Sequence, residues 1–170
     1  MIVRPAVEAD IPCYVAFATA SQEWLRARGL GQYVPAAHSD YAITVAARVT
    51  AGSLMVVESG GEPAGFFSLE VAPSPWWPRD DVPALYLAGM VVAPAFRGHS
   101  VGAAILSWCR KQAAERGCRA VRLDCHAGNP WLCRYYEGHG FELRGWIEQY
   151  PGYDGCLCEA PITPPDRLPA

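Results

Sequence analysis

The chain has 170 residues, 51% of them hydrophobic, and a net charge of −3 from 14 basic and 17 acidic side chains. That size and apolar fraction suit one buried core, so we expect a single domain over 1–162 and a Pro-rich tail at 163–170. No apolar run approaches the roughly 20 residues that cross a bilayer, the start Met1-Ile-Val-Arg-Pro-Ala lacks a leader's charged-then-apolar layout, and the acidic balance argues against nucleic acid, so the expectation is a soluble cytoplasmic protein with neither membrane nor nucleic-acid partner.

Ile2–Arg4 reads as a short strand. Asp10 can cap a helix opening on Ile11-Pro12, where proline is tolerated in the first turn, and the pattern runs to Arg28 before Gly29 and Gly31 stop it. A second helix, from about Asp40 to Ala51, has Ser39 or Asp40 as cap, Gly52 as terminator, and Ile43, Ala46, Ala47 and Val49 on one side. Ser53–Glu58 and Ala64–Val71 are strand-like and joined by Ser-Gly-Gly-Glu-Pro, which predicts an antiparallel hairpin. A Pro-rich loop over 72–83, expected to lie over the site, leads into a central strand, Ala84–Val92. The next helix carries Val101, Ile105, Trp108 or Cys109, and Gln112 or Ala113 at helical spacing, and ends at Gly117. Strand Ala120–Cys125 follows it. Asn129-Pro130 starts a short helix, since Asn is a preferred cap and Pro suits the first position, and that helix ends by Gly138 to Gly140. Two closing strands, near Phe141–Glu148 and Cys156–Ile162, meet through Gln-Tyr-Pro-Gly-Tyr-Asp-Gly.

The segment Met90-Val-Val-Ala-Pro-Ala-Phe-Arg-Gly-His-Ser-Val-Gly-Ala103 is the most informative part of this order. A turn that passes directly into a helix leaves backbone N–H groups unpaired at one spot, where the helix dipole also favours negative charge. Gly98, Ser100, Gly102 and Ala103 are small enough for a pyrophosphate to approach that backbone. From Arg97 to Arg122 six basic residues (Arg97, Arg110, Lys111, Arg116, Arg119, Arg122) face one acid, Glu115, so this stretch would draw a polyanion unless its arginines are scattered over a solvated helix face. The seven cysteines (Cys13, Cys109, Cys118, Cys125, Cys133, Cys156, Cys158) are odd in number and show no C-x-x-C pair, which predicts free buried thiols in a reducing compartment and no metal.

These residues resemble the GNAT superfamily of acyl-CoA-dependent N-acyltransferases, from Ile2 to about Ile162. The family segment Q/R-x-x-G-x-G/A, which cradles the CoA pyrophosphate, is matched by Arg97-Gly-His-Ser-Val-Gly102, with Ser100 where glycine is usual. Val92-Ala-Pro94 matches the Val-x-Pro before that loop, and Asn129, Tyr136 and Gly140-Phe141 match the spacing of the family's later Asn, Tyr and Gly-Phe. The resemblance implies an α/β fold: a central mixed, mostly antiparallel twisted sheet of about seven strands flanked by about four helices.

It also implies acetyl-CoA as cosubstrate and an amine as acceptor. The backbone of Met90, Val91 and Val92 would pair with the pantetheine arm, a bulge at Gly89 could part the central strands, and Arg97, Gly98, His99, Ser100, Val101, Gly102 and Ala103 would hold the diphosphate, with Asn129 a further CoA contact. Tyr136 would donate a proton to the departing thiolate, and a backbone N–H near Val92 would serve the oxyanion. An alkyl amine of pKa about 10 must first lose a proton. Glu70, at the end of the third strand, is the first candidate base and Asp80 and Asp81 could attract the ammonium form, while Ala88 and Gly89 occupy the family's usual place for a base, which argues against a single dedicated one. Trp24, Tyr33, Trp76, Trp77, Asp80, Asp81 and His126 would form the acceptor site for a small-molecule amine; core packing or a homodimer surface explains the tryptophans equally well. Direct attack in a ternary complex is preferred to a covalent route through Cys125 or Cys133, and the rival readings are a peptide or protein amine acetyltransferase and a catalytically silent CoA-binding module.

Overall fold

The computed structural model describes residues 1–30, 38–72, 74–151 and 153–163; Tyr33, Gly31 and the tail beyond 163 lie outside them, as do the side chains of Ser39 and Asp40. Seven strands, β1 (Ile2–Pro5), β2 (Leu54–Ser59), β3 (Glu62–Glu70), β4 (Ala84–Val92), β5 (Ala120–His126), β6 (Glu142–Tyr150) and β7 (Tyr153–Pro161), form one sheet in the order β1-β2-β3-β4-β5-β7-β6. The helices are α1 (Ile11–Arg26), α2 (His38–Thr50), α3 (Val101–Glu115) and α4 (Pro130–Gly138). β1 with β2, β2 with β3, β5 with β7 and β6 with β7 run antiparallel, and β4 with β5 runs parallel, so the sheet is mixed and mostly antiparallel as expected. Among the described residues no helix is long and apolar enough to cross a membrane.

Two compact units divide the chain: Met1–Leu69 with Gly89–Ile105, and Glu70–Ala88 with Leu106–Ala170. In the first, β2 and β3 close through Gly60 and Gly61 at φ +63° and +86°, the pair of left-handed residues that a two-residue turn of matching twist demands. The core of this unit is Tyr14, Ala18, Val45, Leu54, Val56, Phe66 and Val91, with the Tyr14 and Phe66 rings edge to face at 5.5 Å. Such an aromatic pair adds about 1 kcal/mol to the burial itself. Asp10 does not cap α1 with its side chain. Its carboxylate instead accepts the Val7 N–H at 2.8 Å and both terminal nitrogens of Arg4, at 2.7 and 3.0 Å, because a short 3-10 turn over Glu8–Asp10 precedes the helix and places the group there. α1 ends at Arg26, two residues before the expected Arg28, and Gly29 follows at φ +72°.

In the second unit β7 lies between β5 and β6, pairing Cys125 with Cys156 and Arg122 with Glu159. β6 and β7 begin and end closer to their turn than the sequence suggests, because residues as far as Tyr150 and Tyr153 still pair. Arg122, a member of the basic stretch, is almost fully buried. Its guanidinium bonds Glu159 at 2.7 Å, Asp80 at 2.7 and 2.9 Å and the Tyr86 hydroxyl at 3.1 Å, above the Trp77 ring. Lys111 pairs with Glu115, and Arg110 is half-buried against the end of α4. Two charges of the basic run, Arg110 and Arg122, are therefore held by structural partners rather than presented to a polyanion.

Candidate active site

In the first unit the chain leaves β4 through Ala93, whose N–H donates to Ala64 at 2.9 Å, makes a 3-10 turn over Pro94–Phe96, and enters α3. Gly98 takes φ +81° and Ser100 φ +60°. Ser100 is the one non-glycine with positive φ among the described residues, so the family's glycine is replaced where the backbone is left-handed, at a cost of about 1 kcal/mol. A Cβ on Gly98 would touch nothing within 4 Å; glycine serves the backbone turn there, not crowding. The Ser100 carbonyl accepts the Ala104 N–H at 3.0 Å, so the amides of Val101, Gly102 and Ala103 precede any carbonyl the helix could offer them. Their position is fixed from below. A Cβ on Gly65 of β3 would come within 2.8 Å of the Val91 carbonyl and 3.3 Å of Val101 Cγ1, so only glycine lets β4 and the start of α3 settle on that strand.

The side chains of the turn are held in two ways. Arg97 reaches α1, donating to the Ala20 carbonyl at 3.4 Å and lying 5.2 Å from the Trp24 ring, which Arg28 covers from 3.8 Å. The structure thus brings Trp24 to Arg97, and its other neighbour is a second guanidinium. His99 is exposed, with Nδ1 3.1 Å from its neighbour's carbonyl at Arg97. Upstream, Gly89 has φ +58°, a left-handed residue inside β4. The Tyr14 hydroxyl donates to the Gly89 carbonyl at 3.4 Å, and a Cβ on Gly89 would meet that hydroxyl at 2.9 Å and the Arg48 guanidinium at 3.1 Å. Registered pairs between β4 and β5 run from Ala84–Ala120 to Tyr86–Arg122, which leaves Met90, Val91 and Val92 outside that ladder.

In the second unit Asn129 is buried and caps α4, its Oδ1 accepting the Leu132 N–H at 3.2 Å. Tyr136, two turns on, is 7% exposed and packs edge to face on Phe141 at 5.7 Å. Its carbonyl accepts the N–H groups of His139 and Phe141, so the Gly-Phe pair closes the helix under the tyrosine. The half-buried Arg110 side chain of α3 donates to the His139 carbonyl and lies 5.2 Å from the Phe141 ring. Its clamp was not legible in the sequence, where Arg110 reads either as part of a polyanion-attracting stretch or as solvated on a helix face. Tyr135, the neighbour easily confused with Tyr136, stacks on the exposed Trp131, and burial raises its phenol above the usual value.

Of the acceptor candidates, Trp77 and Asp80 line one recess with Arg122, Leu157 and Glu159. Trp77 is buried and Trp76 packs on its cluster, while Asp81 is exposed. Asp80 is committed to Arg122, whose guanidinium holds its carboxyl below the usual range, and the geometry gives it a partner other than an ammonium substrate. His126 is fixed at the end of β5 by stacking on Tyr153 at 4.3 Å and by a 3.2 Å bond from Nδ1 to the Asp154 carbonyl. Glu70 closes β3, half-buried.

This order of strand, outward-facing turn, helix, strand and Asn-capped helix carrying a buried tyrosine is that of an acyltransferase. The acetyltransferase (GNAT) family model matches residues 18–141, and the chain belongs to that family. It is 28% identical over 146 residues, 83% of this chain and 81% of the relative, to the N-acetyltransferase YesJ of Bacillus subtilis, itself uncharacterised. A GNAT acetyltransferase from Listeria monocytogenes superposes with a TM-score of 0.75 at 24% identity, covering 95% of this chain and 94% of that one. The ribosomal-protein-alanine N-acetyltransferase of Brucella melitensis does so with a TM-score of 0.67 at 23% identity, covering 95% and 100%. These likenesses are of fold. Family members use acetyl-CoA as cosubstrate.

Proposed function

We propose that this acyltransferase moves an acetyl group from acetyl-CoA to the primary amine of a small molecule, by direct attack in a ternary complex. The observation that carries the reading is the run of amides at Val101, Gly102 and Ala103 behind a left-handed Gly98 and Ser100, a cradle for the CoA diphosphate. His99 and Arg97 frame that turn, and the backbone of Met90, Val91 and Val92 takes the pantetheine amides. The amine nitrogen attacks the thioester carbon, the C–N bond forms, and the C–S bond breaks. Tyr136 gives its phenolic proton to the leaving thiolate, and Asn129 keeps the helix bearing it in place. The ammonium proton is assigned to Glu70, directly or through water.

The test is thiol release from acetyl-CoA against a panel of small amines, aminoglycosides and peptides, one of them with an N-terminal alanine. Turnover of a small amine well above the peptides supports the reading; peptide turnover alone replaces its acceptor, and CoA binding with every amine inert leaves a silent binding module. Tyr136→Phe should cut kcat about 100-fold or more while leaving the Kd for CoA unchanged, the range expected when a positioned proton donor is lost. Unchanged kcat would remove Tyr136 from the mechanism.

A further inference from the structure

We propose that Cys125, Cys133 and Cys156 form a binding site for one thiophilic divalent cation of the Zn²⁺ type, a function separate from acyl transfer. The three sulfurs come from three elements of the second unit: β5, α4 and β7. Cys133 Sγ lies 3.9 Å from Cys125 Sγ and 3.4 Å from Cys156 Sγ, and all three lie within 4.8 Å of one another. Tetrahedral coordination with metal–sulfur bonds of about 2.3 Å needs sulfurs about 3.8 Å apart, so an ion can be bound with shifts of well under about 1 Å. A disulfide would join two of the three at about 2.05 Å and leave the third thiol packed against the bond. Convergence of three fits an ion better.

The fold brings them together without help from sequence proximity. Cys125 and Cys156 are register partners across antiparallel strands, so their side chains share a face of the sheet. Cys133 shares a helix face with Asn129 and Tyr136, four and three residues away, and α4 packs on β5. Cys158, two residues along β7 from Cys156, directs its thiol to the Cys156 carbonyl and is not one of the three converging sulfurs, so the fourth coordination position falls to water. Donors that are all sulfur select Zn²⁺, Cd²⁺ or Cu⁺ and reject Mg²⁺ and Ca²⁺. Cys125 and Cys156 are buried while Cys133 is half-buried, which gives the ion its way in. On binding, each of the three thiols releases its proton to solvent, and the ion with three thiolates carries one net negative charge. Bound there, it would tie α4, which bears Tyr136, to β5 and β7.

The full chain, reduced with a phosphine and stripped with a chelator, is titrated anaerobically with Cd²⁺, whose thiolate charge-transfer band reports sulfur ligation, and in separate arms with Zn²⁺, Cu⁺ and Mg²⁺. We expect one Cd²⁺ per chain, release of three protons, a higher Tm, loss of three thiols to a thiol reagent, competition by Zn²⁺ and indifference to Mg²⁺. Cys133→Ser should weaken Cd²⁺ at least tenfold, and Cys118→Ser should leave it unchanged. Should Cys133→Ser not fold, Cys133→Ala replaces it, and the wild-type titration stands alone. Absence of a stoichiometric band in the wild type, an undiminished band in the Cys133 variant, binding of Cu⁺ with no uptake of Zn²⁺, or air oxidation to a Cys133–Cys156 disulfide in a chain that takes up no ion would each overturn the proposal.

Discussion

Two glycine turns that look alike in the sequence do opposite work. At Gly98 the backbone is left-handed, a Cβ would meet nothing within 4 Å, and the amides that follow lie ahead of the first carbonyl in α3. At Gly140 the backbone is equally left-handed, at φ +73°, but Arg110 comes within 3.1 Å of where a Cβ would be, and the amides of Gly140 and Phe141 are already paired to carbonyls of α4. A turn whose donors are used up internally is a hinge of the fold. A turn whose donors are left over is available to a ligand. The difference lies in the partners, and those are visible only once the chain is folded.

The most severe way to break this comparison is Ser100→Asp. Aspartate tolerates the left-handed region and favours a helix N-terminus, so Tm should hold or rise. The added carboxylate would meet a diphosphate at contact distance, and repulsion of about 2 to 3 kcal/mol should raise the KM for acetyl-CoA by about 30- to 100-fold. An unchanged KM would mean that the diphosphate binds elsewhere. Next in size, Gly140→Ala forces a Cβ into both a positive φ and the Arg110 guanidinium. It should cost about 2 kcal/mol, a fall in Tm of roughly 4 to 8 °C, with the Kd for CoA unchanged. Arg110→Met keeps most of the side-chain volume but leaves the His139 carbonyl without its donor, and should cost about 1 to 2 kcal/mol by thermal denaturation, again without touching CoA.

The smallest effect sharpens the other side of the comparison, since it alters the first unit without altering its turn. Arg4 holds the Asp10 carboxyl below its usual range, mainly through their hydrogen bonds. The folded form therefore binds the Asp10 proton less readily than the unfolded chain does. The stabilisation is present above about pH 4 and disappears as pH falls below it. Asp10→Asn should lower stability at pH 7 by about 1 kcal/mol and flatten the acid limb of the stability profile. An acid limb identical to that of the wild type would show that the pair contributes nothing.

The elements were legible wherever the local signal and the tertiary demand coincided. β4 was readable to the residue because an apolar run is bounded by Pro83 and Pro94, and α4 because Asn129-Pro130 announces it. Asp10 shows where this fails: its preference for a helix start was genuine, but Arg4 from β1 and the amide of Val7 offered the carboxylate better company. Arg122 reads as part of a basic stretch that would draw a polyanion until β7 places Glu159 opposite it and the loop before β4 brings Asp80. The three-sulfur cluster is hidden for the same reason, because Cys125 and Cys156 meet only through a strand order in which β7 precedes β6. Of the candidate site, the left-handed turn before α3 and the Asn-capped helix that carries the buried Tyr136 follow from spacing. The surroundings of Trp77 and Asp80 do not: the sequence leaves Trp77 between an acceptor wall and core packing and lets Asp80 attract an ammonium, whereas the fold buries Trp77 and pairs Asp80 with Arg122.

Backbone amide shifts in the free chain and on addition of CoA test the central claim most directly. The amides of Ser100, Val101, Gly102 and Ala103 should move furthest with CoA and stay in place with phosphate-free pantetheine, while those of Gly140 and Phe141 change little. Large shifts at Gly140 and Phe141 with the residues from Ser100 to Ala103 unmoved would contradict the account.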